Sequence, residues 1–114
     1  MKKTVRDHIK DIQNEIRTND FDPNRASEML SMLSSLLGNV NDQLKDIQMS
    51  YNRKLMAIMK TANSVSGAKL EAETTNEFEQ LLDIKGTKEL VLEMIRSMKY
   101  YLKAKMEEYK ETRY

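Results

Sequence analysis

Cysteine and tryptophan are absent from the sequence, proline and histidine occur once each, glycine three times, and aromatic residues make up 6%. Without cysteine there is no disulfide framework, no zinc thiolate site and no thiol nucleophile, and the chain suits a reducing compartment. So little glycine and proline disfavours many-turned β sandwiches and barrels, which need frequent tight turns. No stretch approaches the roughly 20 apolar residues of a membrane span, and the N-terminus lacks a signal-peptide core. An excess of one charge is missing as well: 19 basic residues stand against 18 acidic ones, for a net charge of +1. That balance excludes a strongly basic DNA-coating protein and leaves room for local basic ridges. Leu, Ile, Val and Phe together number 25 of 114 residues, near the level of roughly 20% at which highly charged chains become disordered. The net charge is too small for that outcome, and nine methionines add adaptable apolar volume.

What is present is helical periodicity. Thr4 is placed to cap a first helix running to Thr18, in which Val5, Ile9, Ile12 and Ile16 form one stripe. Lys3, Arg6, Lys10 and Arg17 fall on one flank of that stripe, and Asp7, Asp11 and Glu15 on the other. Asn19, Asp20 and Phe21 interrupt the pattern, and Asp22-Pro23 reads as an N-cap carboxylate followed by proline at the first helical position. A long stripe follows: Ala26, Met29, Leu30, Leu33, Leu36, Leu37, Val40, Leu44, Ile47, Tyr51, Leu55, Ile58, Ala62 and Val65. It predicts one helix over 22–65, about 65 Å long at 1.5 Å per residue, with Gly38 facing away from the stripe. Asn63, Ser64, Ser66 and Gly67 mark a weak point, and Thr74 with Glu77 offers a capping box. Beyond it, Phe78, Leu81 and Leu82 point in one direction. Val91, Met94, Ile95, Met98, Leu102, Met106 and Tyr109 point about 110° away from them on an ideal helix. A stop at Lys85-Gly86-Thr87, giving helices 75–85 and 87–112, reconciles the two; so does a continuous helix touching two different partners.

A 65 Å stripe exceeds what a last helix of about 26 residues, or roughly 39 Å, can cover. A second copy of the chain is the economical supplement. Between Leu30 and Tyr51 the stripe also reads as heptads, with Leu33, Val40 and Ile47 at a and Leu30, Leu37, Leu44 and Tyr51 at d, a pattern shared by two-stranded coiled coils and by antiparallel bundles. Met49 and Met56, seven residues apart and outside the main stripe, complete a candidate oligomer interface with those residues. Met32 also lies outside the stripe.

Chemistry-bearing patterns are few. His8 with Asp11 and Glu15 lies along one helix, but a stable metal site needs further ligands from facing helices and there is no second histidine, so neither metal nor cofactor is expected. No Gly-x-Ser-x-Gly elbow occurs, and glycines at 38, 67 and 86 are too dispersed to cradle phosphate. Enzyme activity is not expected. Two basic faces stand out instead. Arg96, Lys99, Lys103 and Lys110 form a ridge beside Tyr100, with Glu89, Glu93, Glu107 and Glu111 on the next face. Lys3, Arg6, Lys10 and Arg17 could extend it as a nucleic-acid contact, whereas pairing with acids of neighbouring helices would make both faces merely solubilising. Tyr101 sits at the edge of the apolar stripe and reads as packing.

Ala72-Glu73-Thr74-Thr75, Thr87-Lys88-Glu89-Leu90, the run from Glu93 to Lys103 and Glu107-Glu108-Tyr109 resemble a group of small helical proteins of tailed bacteriophages, encoded near single-strand annealing or recombination genes. The resemblance covers roughly residues 25–114 and departs from the group at the polar Lys85-Gly86 junction. It implies a phage context and the host cytoplasm, and it assigns no catalytic residue. The resulting expectation is an all-α protein forming one helical domain, an elongated bundle or helical hairpin with one very long helix and coiled-coil-like packing. It would be homo-oligomeric, contact a phage or host protein but no membrane, and act without catalysis in phage DNA metabolism or as an inhibitor of a host defence protein. Nucleic-acid binding in recombination or replication is the alternative.

Overall fold

A computed structural model describes residues 3–18 and 22–112, with the side chains of Tyr109, Glu111 and Thr112 outside the description. The chain is all-α: four helices, α1 (Val5–Thr18), α2 (Pro23–Met59), α3 (Val65–Ala72) and α4 (Asn76–Thr112), and no strand among the described residues. The predicted interruption at Asn19–Phe21 lies outside those residues.

Local chemistry explains each helix start. The Asp7 amide donates to Thr4 Oγ1 at 3.2 Å while the Thr4 amide donates back to Asp7 Oδ2 at 3.1 Å, so two otherwise orphaned N–H groups of α1 are satisfied reciprocally. Hydrogen bonding from Thr4 to the Asp7 carboxylate, first from its backbone N–H and then from its side chain, holds that carboxyl below its ordinary value. The Arg25 amide donates to Asp22 Oδ1 at 2.8 Å, and Pro23 supplies the preset φ of the first turn of α2. Ser64, in extended conformation, caps α3 by accepting from the Gly67 amide at 3.0 Å.

Four features revise the sequence reading. The long helix ends at Met59 rather than Val65, and at that end the Ile58 carbonyl accepts from the Thr61 amide (3.1 Å) and the Thr61 hydroxyl (3.2 Å) as well as from the Ala62 amide (3.0 Å). These bonds tighten the last turn and release the chain. A short helix, α3, then occupies a stretch read as a break. The cap of α4 is Thr75 and not Thr74: Thr75 Oγ1 accepts from the Phe78 amide at 3.3 Å, while the Thr74 hydroxyl donates to the Glu71 carbonyl at 2.7 Å. In place of separate helices over 75–85 and 87–112, α4 runs unbroken through Gly86 for 37 residues, equal in length to α2.

The residues fall into two compact units, one from Met1–Asn39 with Glu89–Tyr114 and the other from Val40–Lys88. In the first, three helical segments share a core: Ile9 and Ile12 of α1, Ala26, Met29, Leu33 and Leu36 of α2, and Val91, Met94, Ile95 and Met98 of α4. Val5, Ile16, Leu30, Leu37, Tyr101 and Leu102 pack around it. The buried seam of α2 thus steps through 26, 29, 33, 36 and 40, alternating 3 and 4. Leu30 and Leu37, assigned above to d positions, flank this seam, and Met29 and Leu36 take the d seats, because d follows a by three residues. In the second unit the buried apolar side chains are smaller and fewer: Val40, Ala68, Ala72, Leu81 and Ile84. Tyr51 of α2 and Phe78 of α4 meet there with ring centroids 5.6 Å apart.

Candidate interaction surfaces

Burial sorts the proposed oligomer interface into three groups. Leu33 and Val40 are completely buried within the single chain, so neither is available to a partner, which corrects their assignment. Leu30 and Leu37 pack on the first unit's core. The premise behind their assignment fails as well, since the last helix has 37 residues rather than 26 and α1 adds Ile9 and Ile12 to the cover. The remaining members lie in the second unit. Leu44, Ile47 and Tyr51 are half-buried, as are Leu55 and Ile58 further along, while Met49 and Met56 are exposed by 46% and 63%. Around them Met59, Val65, Leu70 and Leu82 are exposed too, Leu70 by 67%. Sequence reasoning missed Leu70 because α3 went unrecognised, and it placed Leu82 on the apolar stripe, where the structure turns it outward. Met106 is likewise exposed rather than packed.

This second surface has a physical origin. α3 is eight residues long, and the side chains it buries are the methyl groups of Ala68 and Ala72. Two alanines cannot cover a stripe of Leu, Ile and Tyr, so the C-terminal part of α2 is left half-wet.

The cations divide differently. Lys3 precedes α1 and its ammonium is 2.6 Å from Asp11 Oδ2, a hydrogen bond that raises the Lys3 pKa. Arg6 and Tyr101 each hold a contact of their own. Lys10 and Arg17 are exposed on α1. Arg17 lines a groove of about 310 Å³ with Gln13 and Ile16, opposite Leu90, Glu93, Met94 and Ser97 of α4. Of these cations, Arg17 thus lies beside Glu93 of α4, and Lys3 lines a different groove with α2 residues. Arg96, Lys99, Lys103 and Lys110 are exposed, and none forms an ion pair with another described residue. Beside them Tyr100 is 78% exposed, whereas Tyr101 packs inward with the Lys105 ammonium 5.7 Å from its ring centroid.

His8 is half-buried on the rim of a groove of about 330 Å³ lined by Lys3, Val5, Met32, Ser35, Leu36 and Asn39. Its supposed co-ligands are engaged elsewhere. Asp11 pairs with Lys3, and Glu15 accepts from Arg25 Nε at 2.5 Å and Nη2 at 2.7 Å. No group of three potential metal ligands assembles among the described residues. The Arg25 fork, which also reaches Glu28 at 2.9 Å, ties the last turn of α1 to the first turn of α2 and holds the Glu15 carboxyl below its ordinary value. Arg25 stood out in no sequence pattern, because its partner Glu15 lies on another helix, ten residues away.

No helix among the described residues is long and apolar enough to cross a membrane. Comparison of the chain with family models, curated proteins and solved structures finds no match.

Proposed function

We propose that this protein is a non-enzymatic helical interaction module whose Val40–Lys88 unit docks onto a second copy of itself, serving phage DNA metabolism in the host cytoplasm. The observation that carries this reading is the under-covered stripe of that unit, with Leu44, Ile47, Leu55 and Ile58 half-buried and Met49, Met56, Leu70 and Leu82 outside. An apolar surface of this kind gains most by pairing with another. Charge favours an antiparallel second copy: Asp42 and Asp46 precede the Met49–Met56 strip and Arg53 and Lys60 accompany and follow it, so reversed copies set acids toward bases. Flexible methionine side chains suit a contact formed between separately folded surfaces.

Light scattering coupled to size exclusion tests this on the full chain. At tens of micromolar the expected species is a dimer or larger. Met49→Lys with Met56→Lys, at positions already exposed, is expected to give a monomer with unchanged helicity. A monomeric parent chain, or a variant that associates as well as the parent, refutes the proposal.

A further inference from the structure

We propose that the C-terminal half of α4 binds single-stranded nucleic acid, with Arg96, Lys99, Lys103 and Lys110 following the phosphates and Tyr100 stacking on a base. This surface lies in the other unit from the self-association surface, and either could exist without the other. The four cations are spaced by 3, 4 and 7 residues and so remain on one side of a continuous helix, spread over about 21 Å of its axis.

The chain carries 18 acids and 19 bases, and ion pairs join Lys3 with Asp11, Arg25 with Glu15 and Glu28, and Lys105 with Glu108. No ridge cation forms one with a described residue, nor do the exposed Lys54 and Lys69; the ridge is set apart because four such cations share one helix face beside an exposed tyrosine. On the ridge Glu107 lies four residues after Lys103, an ordinary helical pairing distance, yet no pair forms. The four cations are exposed and form no ion pair with another described residue, and Lys99 and Lys103, one turn apart, repel one another until an anion bridges them. Phosphates repeating along a strand provide that complement. Tyr100 decides between single and double strands. At 78% exposure it packs on little of its own chain, and an unpaired base offers it a face that a stacked duplex withholds.

Fluorescence anisotropy of a labelled oligo-dT of about 20 nucleotides, titrated with the full chain, tests the proposal. If all four cations engage, the salt slope is about −2.8, and raising salt from 50 to 200 mM weakens binding about 50-fold. Lys99→Gln with Lys103→Gln leaves two contacts and reduces that change to about sevenfold. A charge-matched control, Lys54→Gln with Lys69→Gln, alters net charge equally and is expected to keep the parent slope. Tyr100→Ala is expected to weaken binding fivefold or more at any one salt concentration, the low end of a base stack, without altering the slope. Far-UV circular dichroism confirms that each variant stays helical. The proposal is overturned by absence of binding at 50 mM salt up to about 100 µM protein. It is equally overturned by a parent-like slope in the Lys99/Lys103 variant, by Tyr100→Ala binding as the parent does, or by equal affinity for a duplex of the same length.

Discussion

Replacing Gly86 by alanine tests the continuity of α4 through the sign of its effect. In the structure Gly86 lies in the interior of a 37-residue helix, its backbone is right-handed, and a Cβ built on it meets nothing within 4 Å. Alanine there removes the backbone freedom that glycine retains in the unfolded chain and adds no clash, so it is expected to stabilise by about 1 kcal/mol. With an unfolding entropy of about 2.1 cal/mol/K per residue, the chain's melting temperature rises by about 4 °C. If Gly86 instead closed one helix in the left-handed conformation before Thr87 capped the next, alanine would cost about 1–2 kcal/mol and the melting temperature would fall. Thermal unfolding followed by circular dichroism at 222 nm reads the difference directly. Gly38→Ala in α2, also facing open space, serves as the reference of known sign. A lowered or unchanged melting temperature for Gly86→Ala, with Gly38→Ala raised, would refute the continuous helix.

Two further substitutions probe the core and its electrostatic tie. Leu33→Ala empties a fully buried position among α1, α2 and α4 and is expected to lower stability by about 2–5 kcal/mol in urea titrations, whereas Met106→Ala, at an exposed position outside the self-association surface, should stay within about 0.5 kcal/mol. Equal losses would mean that the burial pattern is wrong. Glu15 is held below its ordinary value of 4.5 first by its hydrogen bonds to Arg25, so the pair's contribution is full above pH 4.5 and disappears as pH falls through the depressed value. Glu15→Gln should therefore lie below the parent in melting temperature at pH 7, with the gap closing toward pH 3; a gap independent of pH would exclude the ion pair as its source.

Where side-chain chemistry acts within a few residues, the fold is legible from sequence. The Thr4 and Asp22 caps and the Val5, Ile9, Ile12, Ile16 stripe all recur in the structure, and so does the α2 stripe as far as Val40. Periodicity then misleads at the end of α2, because Ala62 and Val65 continue the 18-residue coincidence although the helix ends at Met59, where the Ile58 carbonyl takes the Thr61 amide and hydroxyl as well as the Ala62 amide. A hydroxyl bonding backward leaves no mark on a hydrophobic pattern. α3 escaped for the opposite reason: its buried residues are two alanines, too weak a stripe to register. The divergent directions of Leu81 and Val91 were visible, but their cause was not. One helix packs different sides in the two units, with Leu81 and Ile84 buried in one and Val91, Met94, Ile95 and Met98 in the other. Glycine at 86 allowed a stop without requiring one.

The candidate surfaces were legible as composition and not as availability. Spacing alone assigned Leu33 and Met56 to one interface, although the first is wholly buried and the second 63% exposed. The difference arises from α1 and the full length of α4, elements whose positions depend on contacts distant in sequence. Charge behaves the same way. A net +1 gives equal weight to Arg25, bonded to two glutamates, and to Lys103, which has no ionic partner among the described residues. Only the second can contribute its full charge to binding a polyanion, because the first must surrender an existing pair to do so. Gathering four cations on one helix face gives a nearly neutral chain a local positive field whose range is about a Debye length of 8 Å at physiological salt. Binding of this kind is contact-limited. It should therefore respond to substitutions on the α4 ridge and hardly at all to an equal change of charge elsewhere, which is the contrast the two lysine pairs measure.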